Sequence, residues 1–351
     1  MLMTAASVML SGCTLGGSAE NLLSPPVIYE EQEDIYNALR KSISGNITLQ
    51  YPRSGAYRSA FVIKDIDGNG DDEAVVFYSV HDQIRINIID KDDEGGWQSV
   101  CDLEGSGTGI DRMQVDSIGS AERTSIIVGY SVSGGDNILK VYSYSGGKVS
   151  ETYTDSYSSF FTFDLNGDGQ DGLCIIHSNN ENIGRKADFS VITDTGTQVV
   201  KKDTVALNGK ATDFVGVALG NVGENTPAVF IDELSGGQLL TEIIYIAADT
   251  LRNPLYLDER QMISDTMRSK GYYSADIDLD GIVEIPTQSY FPGYSQDERD
   301  AFLSTNWNVY SNFTINKKYS SYYDAEKGFC FVFPGRWDGL VTVKRDEHNG
   351  D

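Results

Sequence analysis

One pattern limits the folds open to this chain of 351 residues: an acidic, glycine-bearing loop followed at once by an apolar strand, repeated five times. The clear copies are "DIDGNGDDEAVVFY" from Asp65, "DLNGDGQDGLCIIH" from Asp164 and "DIDLDGIVEIP" from Asp276. Two degenerate copies, "QVDSIGSAERTSIIVGY" from Gln114 and "ALGNVGENTPAVFID" from Ala218, keep the glycine and the strand but lose most of the acids. The sixth position of each copy is Gly70, Gly119, Gly169, Gly223 and Gly281, so successive copies lie 49, 50, 54 and 58 residues apart. A period near fifty holds four short strands with their turns, the size of one propeller blade.

The strands such a blade needs are present. After the first copy come "AVVFYSV", "IRINIID" and "WQSVCDL"; after the second come "SIIVGYSV", "ILKVYSYSG" and "KVSETYT". The hairpin signals "SGGD" and "YSGGK" fall between strands of the second set. With 36 Gly, 20 Tyr and only 8 Pro, the composition agrees with an all-β chain. The fold expected is an all-β propeller of about five blades over residues 46–325. A single amphipathic helix precedes it within residues 30–45, where Ile35, Leu39 and Ile43 recur every four positions. The "NITLQYP" segment is expected to close the ring against a late strand, and residues 326–351 to form a further hairpin or a partial last blade. Ser295 and Glu298 make a capping box that predicts a short helix in the last interval.

Residues 1–13, "MLMTAASVMLSGC", end in Leu-Ser-Gly-Cys, which resembles a bacterial lipobox. That resemblance makes Cys13 the lipidated first residue of the mature chain, with 14–29 as a tether. No Lys or Arg precedes the apolar run, so the true start is expected to lie upstream. Acyl chains on Cys13 would hold the protein at the outer face of a bacterial cell membrane without any transmembrane helix. Cys101, Cys174 and Cys330 each sit in an apolar run and are expected to be small buried hydrophobes. The three histidines have no ligand-like spacing, which argues against zinc.

The D-x-D-G-N-G-x-x-E loop, preceded by "FV" and followed by an "AVV" strand, resembles the FG-GAP/VCBS repeats of calcium-binding β-propellers. With the lipobox, the tether and the helix, the chain is similar to repeat-bearing lipoproteins of Gram-positive bacteria whose function is generally unassigned. The resemblance covers roughly residues 10 to 290.

The loops themselves point to calcium. Positions 1, 3 and 5 turn oxygens to one point, position 7 offers a carbonyl, and glycine at 6 permits the sharp turn. In the first loop these are Asp65, Asp67, Asn69 and the Asp71 carbonyl, with Glu73 at position 9. The middle loop offers Asp164, Asn166, Asp168 and the Gln170 carbonyl, with Gly172 where a ninth-position acid is wanted. The last offers Asp276, Asp278, Asp280, the Ile282 carbonyl and Glu284. An EF-hand is excluded, because position 12 is Val76, Ile175 or Thr287 instead of glutamate. Two carboxylates about 4 Å apart repel by roughly 4 kcal/mol at an effective dielectric near 20, so loops this acidic call for a cation.

A formal net charge of −25 excludes nucleic acid as a general partner. No G-x-S-x-G, H-E-x-x-H or P-loop is present. The function expected is a non-catalytic, calcium-stabilised, monomeric propeller that binds an extracellular protein or glycan. The alternatives are an extracellular carbohydrate-active enzyme and a structural part of an envelope complex. Clustering of Trp97, Trp307 and Trp337 on one face would mark a glycan platform or a protein hot spot; dispersal would leave them as core.

Overall fold

The computed structural model describes residues 30–119, 123–179, 186–258, 261–262, 264–295 and 301–344. Cys13, the signal, the tether and Glu298 of the expected capping box lie outside the described residues. The helix over 30–45 is observed as α1, Glu30–Ser42, with Arg40 and Lys41 in its last turn.

Apart from two single 3-10 turns, Ser264–Thr266 and Gly335–Trp337, the other described elements are strands. The first sheet holds β1 (Thr48–Leu49), β2 (Phe61–Lys64), β3 (Glu73–Val80), β4 (Gln83–Lys91) and β5 (Trp97–Glu104). The second holds β6 (Gly109–Asp116), β7 (Ser125–Ser131), β8 (Asn137–Ser145) and β9 (Lys148–Tyr157). The third holds β10 (Ser159–Phe163), β11 (Gly172–Asn179), β12 (Lys186–Asp194) and β13 (Val199–Leu207). The fourth holds β14 (Asp213–Asn221), β15 (Pro227–Ser235), β16 (Gln238–Ala247) and β17 (Thr250–Arg252). A small hairpin of β18 (Tyr256–Asp258) and β19 (Gln261–Met262) precedes the fifth, which holds β20 (Ile285–Tyr290), β21 (Leu303–Ser311), β22 (Thr314–Asp324) and β23 (Phe329–Val332). Each contains an antiparallel meander in chain order, with β1 of the first sheet added beside β2 on β3, so the five sequence copies correspond to five sheets. Each copy is the loop between a sheet's first and second strands; in the fifth the first strand shrinks to a single bridge, Ala275 to Glu284.

The second strands read as continuous apolar runs because both their faces are covered. Val75 and Phe77 of β3 point into a cluster shared with the second sheet. Ala74, Val76 and Tyr78 alternate onto the opposite face, where Ile35 and Leu39 of α1 pack. Cys174 and Ile176 of β11 face the fourth sheet, while Leu173 and Ile175 face the second. Val229 and Ile231 of β15 face the third sheet, while Ala228 and Phe230 face the fifth. Each such side chain is worth about 1.5–3 kcal/mol when buried, so these interfaces fix the order of the sheets. Hairpin turns follow the glycines: Gly146 and Gly147 both have positive φ, as the turn between β8 and β9 requires.

Two expectations are corrected. The "NITLQYP" strand does not pair with a late strand: Thr48 and Leu49 pair with Ser79 and Tyr78 of β3, because the first sheet offers a free ladder beyond the short β2. Among the described residues the apolar clusters join consecutive sheets only. The outer face of the fifth sheet is covered by the chain's own C-terminal segment, with Ser320 Oγ donating to Asp338 at 2.6 Å and Tyr294 to the Val343 carbonyl at 2.9 Å. Cys330 is exposed, since β23 is an edge strand; Cys174 is buried and Cys101 half-buried. No described helix is long and apolar enough to cross a membrane.

Candidate metal centres

The first loop is shaped by its own carboxylates. Asp65 accepts the Gly68 amide at 2.7 Å through Oδ1 and the Gly70 amide at 3.0 Å through Oδ2. Asp67 Oδ1 accepts from Asn69 N, and Asn69 Oδ1 from Asp71 N. These Asx turns use one lone pair per oxygen and leave others free. Glycines 68 and 70 have φ of 79° and 95°, values that an L side chain rarely adopts.

Glu73, at the start of β3, closes the loop from beneath. It is fully buried; Oε2 accepts the Ile66 amide at 2.8 Å, and Oε1 meets no donor. Burial pushes its pKa up to about 7, opposed by the Ile66 amide and reinforced by the charges of Asp67, Asp90 and Asp65. Carboxylate oxygens of Asp65, Asp67 and Glu73 come within 4.8 Å of one another, close enough to share one ion.

The middle loop repeats the scaffold without the floor. Asp164 accepts from Gly167, Asp168 and Gly169 amides, and Asp168 from Gln170. Asn166 Nδ2 donates to Asp168 at 2.7 Å. Gly172 supplies no side chain, and Asp171, its pKa raised by burial and by Asp116 and Asp164, instead offers its carbonyl to Gly119.

The last loop brings together Asp276, Asp278 and Glu284 as the first does, with Glu284 fully buried and its Oε2 on the Ile277 amide at 2.9 Å. Here a residue that the sequence analysis did not single out is present. Lys318 Nζ lies 2.8 Å from Asp278, 2.6 Å from Asp280 and 2.8 Å from Glu284 Oε1. Tyr319 donates to Asp278 at 2.6 Å, and Lys318 with Tyr319 holds that carboxyl down at about 2. Sequence offered no signal for Lys318, which lies 34 residues beyond Glu284.

The degenerate loops do something else. Gly119 N donates to the Asp171 carbonyl, and Asn221 donates through both N and Nδ2 to the Gly281 carbonyl at 2.9 Å. Each acid-poor loop is thus docked on the acidic loop that follows it.

A cavity of about 420 Å³ opens between the third and fourth sheets. Phe163, Leu165 and Ile246 supply its apolar wall, with Asp168, Asp171 and Lys202 at its polar side. The tryptophans are dispersed in role. Trp307 is 3% exposed and donates to Ser321, Trp97 packs on the α1 cluster, and Trp337 packs on Phe331.

No protein-family model matches the chain, and no curated protein matches it. Among solved structures it is similar to rhamnogalacturonan lyase YesW, with 12% identity, a TM-score of 0.39, and coverage of 81% of this chain and 69% of that one. It is also similar to the exotype rhamnogalacturonan lyase YesX, with 13% identity, a TM-score of 0.31, and coverage of 82% and 56%. The exo-β-1,3-galactanase of Phanerochaete chrysosporium matches with 10% identity, a TM-score of 0.31, and coverage of 82% and 71%. At TM-scores below 0.5 these likenesses carry no argument about activity.

Proposed function

We propose that the chain is a non-catalytic, calcium-stabilised β-propeller, held on the outer face of a bacterial membrane through Cys13, that binds an extracellular glycan or protein. The observation that carries the calcium reading is Glu73 Oε1, a buried carboxylate oxygen with no donor, on a fully buried side chain whose carboxylate gathers with those of Asp65 and Asp67 within 4.8 Å. Leaving such an oxygen unpaired costs about 1–3 kcal/mol or more, and a cation satisfies it. The residues fit the ion: Asp65, Asp67, Asn69, the Asp71 carbonyl and Glu73 are hard oxygen donors. The middle loop would hold a second ion more weakly through Asp164, Asn166, Asp168 and the Gln170 carbonyl. Calcium has a structural role in this reading, setting the loop against its sheet.

The propeller reading rests on five consecutive antiparallel sheets, the first of five strands and the others of four, each packed on the next, with a copy of the repeat loop, acidic or degenerate, at the same place in each. The cavity between the third and fourth sheets is the favoured ligand site, since its apolar wall and acidic edge can take a ligand with an apolar face and hydroxyl or cationic groups. The carbohydrate-active alternative gains nothing from the paired carboxyls of Glu233 and Glu242, which are fully buried and out of a saccharide's reach.

The test is the melting temperature of the metal-free full chain. Calcium at 100 times its Kd would add about 2.7 kcal/mol per site. Calcium should raise the melting temperature well beyond the effect of equal magnesium, and Asp67→Ala should remove most of the rise. An identical melt with calcium and with chelator would overturn the reading.

A further inference from the structure

The first and last acidic loops are built alike on equivalent strands, yet their open carboxylates are treated differently. The difference traces to one register position. In the first sheet Ile88 pairs with Cys101 and Ile89 with Ser99, so Val100 is the extra residue of a β-bulge. In the fifth sheet Trp307 pairs with Tyr319 and Asn308 with Lys317, so Lys318 is the extra residue. The two bulges are equivalent. Ala74, which follows Glu73, pairs with Ile89, and Ile285, which follows Glu284, pairs with Asn308. Val100 and Lys318 therefore hold the same place relative to the glutamate under each loop. Bulges aim a side chain out of the regular ladder, and at this one the side chain comes up beneath the loop.

What stands there is opposite in chemistry. Val100 packs on the apolar cluster shared by the first and second sheets and gives Glu73 no donor. Lys318 spends its ammonium on three carboxylates, Asp278, Asp280 and Glu284, one for each N–H. Its Nζ meets Glu284 Oε1 at 2.8 Å, the atom equivalent to the unpartnered Glu73 Oε1.

We infer that, in the two loops floored by a glutamate, the residue at this bulge decides the cation: Lys318 is a tethered cation that takes the metal's place in the fifth sheet, while Val100 leaves the first loop to an ion from solution. The third sheet has Lys202 at the same place, but there Gly172 replaces the glutamate and the rule does not apply. The last loop is then permanently closed and needs no calcium, although its Asp276, Asp278 and Glu284 match Asp65, Asp67 and Glu73 in type and Asp280 adds a carboxylate where the first loop has Asn69. A divalent ion entering there has to displace an ammonium bound by three carboxylates and desolvate as well. The inference rests on the calcium reading for the first loop only, and the experiment separates the two.

The experiment is calcium titration calorimetry on the metal-free full chain. The parent is Asp67→Ala with Asp168→Ala, which disables the first and middle loops. Adding Lys318→Val, the residue type found at the equivalent bulge, should create one calcium-binding event that the parent lacks, and adding Asp278→Ala should abolish it. Lys318→Met, which keeps the stem and removes the charge, should do the same if the valine variant does not fold. In the otherwise unaltered chain, Asp278→Ala should leave calcium uptake unchanged. A folded Lys318 variant that binds no more calcium than its parent overturns the inference, as does loss of native uptake in Asp278→Ala. Absence of uptake by the native chain, with a gain in the Lys318 variants, overturns the first-loop reading alone.

Discussion

The amide of Gly119 donates to the carbonyl of Asp171 at 2.6 Å, so the second, acid-poor loop is pinned to the third, acidic one. A Cβ on Gly119 would lie 2.0 Å from Thr193 Oγ1 and 2.6 Å from the Asp194 carbonyl oxygen, at a φ of 77°. Gly70 also has positive φ, yet a Cβ there meets nothing within 4 Å. Gly70→Ala should therefore cost only its backbone strain, about 1–2 kcal/mol. Gly119→Ala adds overpacking to that strain, about 1–3 kcal/mol more. Urea denaturation of the two variants checks the order, and equal losses would contradict the close packing of Gly119 on Thr193 and Asp194.

The pair of Glu233 and Glu242 sets a pH dependence. Both are fully buried on neighbouring strands; Asn208 donates its Nδ2 to Glu233 Oε1 and its backbone amide to Glu242 at 2.9 Å. Burial, then the Glu242 charge, pushes the Glu233 pKa up to about 9. Protonated, Glu233 can donate to Glu242 through Oε2, which otherwise meets no donor. The folded state thus binds a proton that the unfolded state releases near pH 4.5, so this stability is lost as pH rises from about 4.5 to 9. Glu233→Gln supplies the donor permanently. It should be more stable than the native chain at pH 8 and flatten the stability profile between pH 5 and 9, as denaturant midpoints across that range will show.

Arg268 is buried against the fourth sheet, paired with Asp232 at 2.6 Å, and it also donates to Thr241 Oγ1, Ser274 Oγ and the Thr266 and Tyr272 carbonyls. Asp232→Ala strands a buried guanidinium and should cost about 3–5 kcal/mol. Replacing both partners, Arg268→Met with Asp232→Leu, should cost less than the single change. A double-mutant cycle by denaturation measures this, and additive losses would contradict the pair.

The turn between β21 and β22 places Asn312 and Phe313 at φ of 52° and 63°, with Phe313 89% exposed. Phe313→Gly gives the Asn-Gly pair such a turn prefers and should raise stability by about 1 kcal/mol. A fall in the melting temperature would show that the exposed ring has another role.

Local chemistry made much of this legible in the sequence. Strand runs such as "AVVFYSV" and "IRINIID" became β3 and β4 almost residue for residue: β3, covered on both faces, is apolar from Ala74 to Tyr78, and β4 alternates Ile84, Ile86 and Ile88 with Arg85 and Asn87. Gly70, Gly119, Gly169 and Gly281 fell at positive φ; Gly223 did not, and in that loop Asn225 takes the positive φ instead. Long-range register was not legible. Lys318 reaches the last loop only through a bulge between β21 and β22, and nothing near Lys318 in the chain announces a carboxylate cage. The place of "NITLQYP" was missed for a similar reason: any strand-like segment can close a ring, and only the shortness of β2 leaves β3 free to receive Thr48 and Leu49. Cys330 reads as core in "GFCFVF", yet its strand is the sheet's edge, which composition does not reveal.

The central claim is that the buried, unpartnered oxygen of Glu73 belongs to a calcium ion, and calcium titration calorimetry of the metal-free full chain tests it most directly when native protein is compared with Glu73→Gln. The account predicts a calcium-binding event in the native chain that Glu73→Gln weakens at least tenfold, about 1.4 kcal/mol, while the metal-free variant melts no lower than the native metal-free chain. Calcium binding of equal affinity in both, or none in the native chain, would contradict it.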